Sequence, residues 1–215
     1  MNMKMNIIVP IFYYLLFGSF LSCNSQEKRN PNTANDSIIT DIPIEKKAER
    51  YRSEKKAIEL KIGLLPLEGG FNGTQIRIWS GHARSDTLQF LTITNFDSIW
   101  SAKFYTIVYQ MNDKYDSIIS FSSVSLAKTP ISGWNYFIDS LLKLKVMDLT
   151  DFSKIVGYNV PMDSGGPTVE IALKSKYRIY SLPGLYTNEK IWQAQNMAQI
   201  MRLIEDELQL EWLYY

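Results

Sequence analysis

The chain has 215 residues, with 23 Lys and Arg against 22 Asp and Glu, one histidine and one cysteine. So even a charge balance lacks the concentrated basic surface that binding to nucleic acid requires, and it gives no sign of a strongly acidic ligand either. A single histidine and a single cysteine supply neither a disulfide framework nor a Cys/His zinc cluster, and no HExxH-type spacing occurs, so no metal or cofactor is expected.

The first segment, MNMKMNIIVPIFYYLLFGSFLSCNSQ, carries one positive charge at Lys4, an apolar run from Ile7 to Leu21, small residues and then Cys23. That is the layout of a secretory signal. The run is shorter than the roughly 20 residues of a spanning helix, and Pro10 interrupts it. FLSC resembles the lipobox of bacterial lipoproteins, although Phe20 stands where that motif most often has Leu. The resemblance implies cleavage after residue 22 and acylation of Cys23, with membrane attachment through buried acyl chains. Loss of residues 1–22 removes Lys4 alone among the charges and leaves no cysteine in the folded part other than the acylated one.

Residues 23–56 are polar, with two prolines and few large apolar side chains, and read as a tether from the acylated cysteine. A flexible tether of that length reaches on the order of 30 Å. Its end, IEKKAERYRSEKK, has the spacing of a short solvated helix with interleaved charges. Residues 57–215 are long enough for one domain with a sizeable core.

Within that domain, Ile58, Leu60, Ile62 and Leu64 alternate with Glu59, Lys61 and Gly63, which predicts a half-buried strand over 58–64. The Gly-rich EGGFNG follows, then a strand at TQIRIWS and, after the loop GHARSD, three strands at TLQFLTIT, SIWSAKFYTIVYQM and DSIISFSSVSLA. The period then changes. Trp134, Phe137, Ile138, Leu141 and Leu142 recur at helical spacing within residues 132–149, with Ser132 as the expected N-cap. An irregular stretch to Pro167, a hairpin TVEIALKSKYRIYSL, the break PGL and a helix from about Thr187 complete the chain. Together these predict an α+β fold: a mainly antiparallel sheet packed against two amphipathic helices. Large side chains on both sides of SAKFYTIVYQM suggest that both sheet faces are covered, or that one is a binding face.

Residues 162–167, MDSGGP, bring the reactive serine of trypsin-like proteases to mind, but the surrounding residues argue otherwise. A serine nucleophile needs a base and a group to orient it. The lone His82 lies in SGHARSD, unlike the TAAHC-like context of that family, and Met162 replaces its glycine. The motif reads more simply as a turn that delivers the chain into the strand at Thr168. No catalytic residue is assigned. His82 and Arg84 in one loop, and Asp163, Ser164, Glu170 and Arg178 around the late hairpin, form a candidate polar surface site, with Glu170 and Arg178 expected as cross-strand or diagonal neighbours.

The triplets Asp36-Ser37-Ile38, Asp86-Thr87-Leu88, Asp97-Ser98-Ile99, Asp116-Ser117-Ile118 and Asp139-Ser140-Leu141 resemble the Asp-Ser/Thr-apolar O-glycosylation motif of Bacteroidota. Ser37, in the tether, is the expected acceptor. Residues 131–208 resemble uncharacterised bacterial proteins in which a Trp-led helix, an Asp-Gly-type turn, a Glu-bearing strand, a Tyr-bearing strand and a final helix follow in that order. Here these are Trp134, DSGG, Glu170, YRIY and the helix from Thr187. The resemblance implies a Bacteroidota-type lipoprotein and brings no activity with it. The expectation is an envelope lipoprotein, anchored to the outer membrane of a Gram-negative cell, that holds an envelope protein without catalysis. Two alternatives stand beside it: an immunity-type lipoprotein that neutralises a toxin, and a hydrolase using Ser164, His82 or Asp163.

Overall fold

A computed structural model describes residues 39–43, 49–81, 87–114 and 117–213. Its strands are β1 (Ile39–Asp41), β2 (Phe71–Gly81), β3 (Thr87–Phe96), β4 (Ile99–Met111), β5 (Ile118–Lys128), β6 (Thr168–Lys174) and β7 (Lys176–Ser181). They form a seven-stranded sheet in the order β1-β7-β6-β2-β3-β4-β5. Every pairing is antiparallel except that of β1 with β7. The helices are α1 (Glu49–Lys61), α2 (Trp134–Lys143) and α3 (Trp192–Leu208). The fold is α+β, with a mainly antiparallel sheet. None of the helices is long and apolar enough to cross a membrane.

Side chains alternate across the sheet with period two, so each strand feeds both faces. Ile76, Ile78, Leu91, Ile93, Phe104, Val169 and Ile171 point to one face and bury the stripes Phe137/Leu141 of α2 and Ala194/Met197/Ile200/Met201/Ile204 of α3. Trp79, Phe90, Tyr105 and Ile107 point to the other and pack around Ile58 of α1. Beside them Ala172, Tyr177 and Ile179 close over Leu67. Both faces are therefore covered by this chain itself, and the cover of the second face comes from residues expected to belong to the tether.

The strand expected over 58–64 is instead the end of α1 and its stop. Apolar residues two apart at 58–62 also include an i, i+4 pair, Ile58 and Ile62, and Leu60 is 56% exposed, so helical spacing prevails. Gly63, at φ +77°, ends the helix. Leu64 N–H donates to Glu59 O at 2.8 Å and Gly63 N–H to Leu60 O at 3.2 Å, the paired bonds of a Schellman stop. Lys145, at φ 61°, closes α2 in the same way, with Val146 N–H on Leu141 O and Lys145 N–H on Leu142 O. That helix is accordingly shorter than the expected 132–149. Ser132 does not cap it; its N–H and Oγ both donate to Glu207 of α3, at 2.9 and 2.8 Å. The final helix begins at Trp192, after a 3-10 turn at Leu185–Asn188.

Two strand joins depend on unusual backbone. Asp97 and Ser98 both have positive φ and turn β3 into β4 through a two-residue loop. Gly73 sits in the irregular start of β2 at φ 128°, where a Cβ would lie 2.2 Å from Asn95 O, so no larger residue fits.

Candidate functional site

The residues expected to share a polar surface site do not converge. Glu170 pairs with Ile179 in the sheet register and Arg178 with Ile171, so the two charged side chains leave opposite faces. Glu170 is fully buried beneath α1. Arg178 donates to the carbonyls of Met147 and Leu149, the latter at 2.7 Å, and lies 3.8 Å from Asp41 of β1. The pairing expected between them is thus corrected by one step of register. His82 and Arg84, like Cys23 and Ser37, lie outside the described residues.

Glu170 is the centre of a buried ion network that holds α1 on the sheet. It accepts from Trp79 Nε1 at 3.0 Å and from the Tyr177 hydroxyl at 2.5 Å, and it pairs with Lys55. Lys55 also lies 3.3 Å from Glu59, one helical turn on, and Glu59 accepts from Arg77 Nη1 at 2.5 Å. Arg77 spends its remaining donors on Gln75 Oε1 at 2.8 Å and Leu65 O at 2.7 Å. Arg77, Glu59 and Glu170 are at most 2% exposed, so these charges are as deep as the apolar core. Burial of that kind is retained only where every charge is met, which fixes where α1 sits more than it adds stability.

Burial alone would lower the Lys55 pKa, but Glu170 and Glu59 together raise it above the ordinary lysine value. Burial raises that of Glu59, against the pull of Lys55. The two signs give a pH profile. The contribution of Lys55 is complete below the ordinary lysine value and is lost as pH rises through the higher folded one. That of Glu59 is present in acid and declines as pH rises through its folded value. Urea midpoints should therefore not collapse between pH 5 and 4 on account of Glu59, and should fall at alkaline pH as Lys55 deprotonates; a fall confined to acid would contradict this assignment.

Asp163 and Ser164 lie in a loop that runs from the 3-10 turn Phe152–Lys154 to Pro167. Ser164 Oγ is buried and has no hydrogen-bond partner, so no base is aligned on it. Its N–H donates to Pro161 O, and Asp163, at φ 59°, makes the turn. The loop is held at both ends. Asp151 accepts from the N–H and Oγ of Ser153 and from Ser181 N–H at 2.8 Å. Tyr158 donates to Pro183 O at 2.8 Å. Asn188, 4% exposed, accepts from Asn159 N–H at 2.8 Å and donates to Asn159 O at 2.6 Å and Gly184 O at 2.9 Å. Gly166 makes the closest approach: a Cβ there would sit 2.5 Å from Pro183 Cα.

This locked backbone presents apolar side chains to solvent. Val156 is 99% and Met162 94% exposed, with Val160 and Tyr186 also exposed on the same pair of loops. Exposed apolar side chains on a flexible loop are ordinary; on a backbone fixed by buried hydrogen bonds they form a surface that is ordered before it meets anything. Asn188→Ala removes three hydrogen bonds at a buried position and should cost about 2–3 kcal/mol. It should also raise amide exchange selectively over residues 155–164, measurable by mass spectrometry. Uniform exchange across the chain would show that Asn188 does not hold this loop.

A second open feature is β5, an edge strand paired on one side only, with Val124 63% and Leu126 55% exposed. Comparison with family models, with curated proteins and with solved structures finds no match in any of the three. Among the described residues there is no group of three or more His, Cys, Asp or Glu placed to hold a metal ion.

Sequence reasoning missed Lys55, Glu59 and Arg77 as a unit, although Arg77 between Ile76 and Ile78 in a strand was a visible signal of a buried charge. It also missed the display of Val156 and Met162, whose only trace was the run of turn formers Gly157, Pro161, Gly165, Gly166 and Pro167.

Proposed function

We propose that the protein is an envelope lipoprotein, anchored through Cys23, that binds a protein partner without catalysing a reaction. The observation that carries the binding role is the locked loop pair presenting Val156, Val160, Met162 and Tyr186. Interface cores are enriched in aromatic residues and Met, and a backbone held before contact avoids the ordering cost of binding. The signal segment, the lipobox-like FLSC and the polar residues after Cys23 support the anchoring role.

The anchoring part has its own test. Cys23→Ala should abolish incorporation of labelled fatty acid and release the protein from the membrane fraction; a variant that still takes up label contradicts the anchor. The binding part is tested by in-cell crosslinking and affinity purification with Val156 and Met162 variants, as developed in the Discussion.

A further inference from the structure

A cavity between α1 and the turn preceding β2 takes no part in the loop surface. Its volume is about 220 Å³, and its walls are Lys55, Lys56, Glu59, Pro66 and Glu68. Pockets for drug-sized ligands run to roughly 300–1,000 Å³, so this one suits a group of a few heavy atoms.

The charges on its walls are unequally engaged. Lys55 is held by Glu170 and Glu59, and Glu59 also holds Arg77. Glu68 is different: its Oε2 is sealed from solvent and has no hydrogen-bond partner. The cations Lys55 and Arg77 thus face the carboxylates Glu59, Glu170 and Glu68, which leaves one negative charge without a counterpart. A water molecule would satisfy the geometry of Oε2 but not that charge.

The shape of the deficit narrows the ligand. One free carboxylate oxygen suits a compact donor with a single positive charge; a guanidinium fork is matched by two oxygens. A calcium ion takes six or more oxygens, which these walls do not supply. We propose that the cavity binds a primary ammonium group seated on Glu68 Oε2. Lys56, exposed at the rim, places a positive charge where a carboxylate on the same small molecule would meet it. The ammonium group belongs either to a free amino acid or to a lysine side chain of another protein.

The test is titration of the intact ¹⁵N-labelled chain, in detergent, with methylammonium, glycine and Nα-acetyl-lysine methylamide, followed by amide shifts. The expected result is saturable shifts clustered over residues 55–70, with affinity reduced roughly tenfold or more by Glu68→Gln, the loss of a charge-assisted hydrogen bond. Glycine binding more tightly than methylammonium, with the difference removed by Lys56→Met, assigns the free amino acid as the source. Preference for the lysine derivative assigns a protein side chain. Absence of saturation with all three probes, or saturation unchanged by Glu68→Gln in a variant that keeps a dispersed spectrum, overturns the proposal. Because neither Cys23 nor the 155–164 loop enters this test, its failure leaves the anchoring and loop-binding roles untouched.

Discussion

Glu170→Gln lowers the unfolding free energy by about 3–5 kcal/mol, read as a shift in the urea midpoint at neutral pH. The substitution keeps the side-chain volume and removes one charge. Lys55, which Glu170 and Glu59 share, is then left buried with Glu59 alone, and Glu59 already serves Arg77. Trp79 and Tyr177 keep an acceptor at most, so the cost is that of a buried charge without its partner and not of lost packing. Adding Lys55→Met removes the stranded charge. The double variant should therefore lose less than the sum of the single losses, with a coupling of about 1–3 kcal/mol. Additive losses, or a single-variant loss under about 1 kcal/mol, would mean that α1 is held by Ile58 and the neighbouring apolar contacts.

Val156→Asp and Met162→Asp leave stability unchanged to within about 0.5 kcal/mol, because side chains this exposed have almost no folded contacts to lose. Partner capture responds quite differently. A residue at the centre of an interface contributes about 2 kcal/mol or more, and a carboxylate buried there adds its own desolvation cost, so binding should weaken by roughly 30-fold or more. The same substitution on the other sheet face, Leu65→Asp, is the control: Leu65 is 72% exposed and lies by α1. Equal loss in all three variants would point to a general effect of added charge, and loss in Leu65→Asp alone would move the interface to the α1 side.

The sheet was legible because its strands from Thr74 to Leu182 alternate cleanly and are separated by strong turn residues. The α2 and α3 stripes were legible for the same reason, their periods being long enough to distinguish 3.6 from 2. Residues 58–64 show where that distinction breaks down. Four apolar residues two apart fit a strand, yet the pattern is too short to exclude the end of a helix whose earlier turns are polar. The polarity of α1 had a second consequence. A helix attached by Lys55 and Glu59, with Ile58 as its deeply buried apolar side chain, has the composition of a solvated tether. Its partners, Arg77 and Glu170, lie 18 residues or more away from Glu59 and are brought to it only by the sheet.

The candidate site was less legible. Asp163 and Ser164 drew attention through a motif, whereas their role in the structure is to shape a turn whose neighbours, Val156 and Met162, are displayed. Nothing periodic marks such a loop; it is fixed by Asn188 and Tyr158, whose partners are about 25–29 residues away. The separation of Glu170 from Arg178 turned on a single step of hairpin register, which the loop at Lys174 and Ser175 sets and composition does not.

The most direct measurement places a photo-crosslinking amino acid at Val156 of the full chain in its native envelope, with the same residue at Leu65 as control, and identifies adducts by mass spectrometry. The account predicts one stoichiometric protein adduct from position 156, absent from position 65 and lost when Cys23→Ala releases the chain from the membrane. No adduct above background at position 156, or the same adducts from both positions, would contradict it.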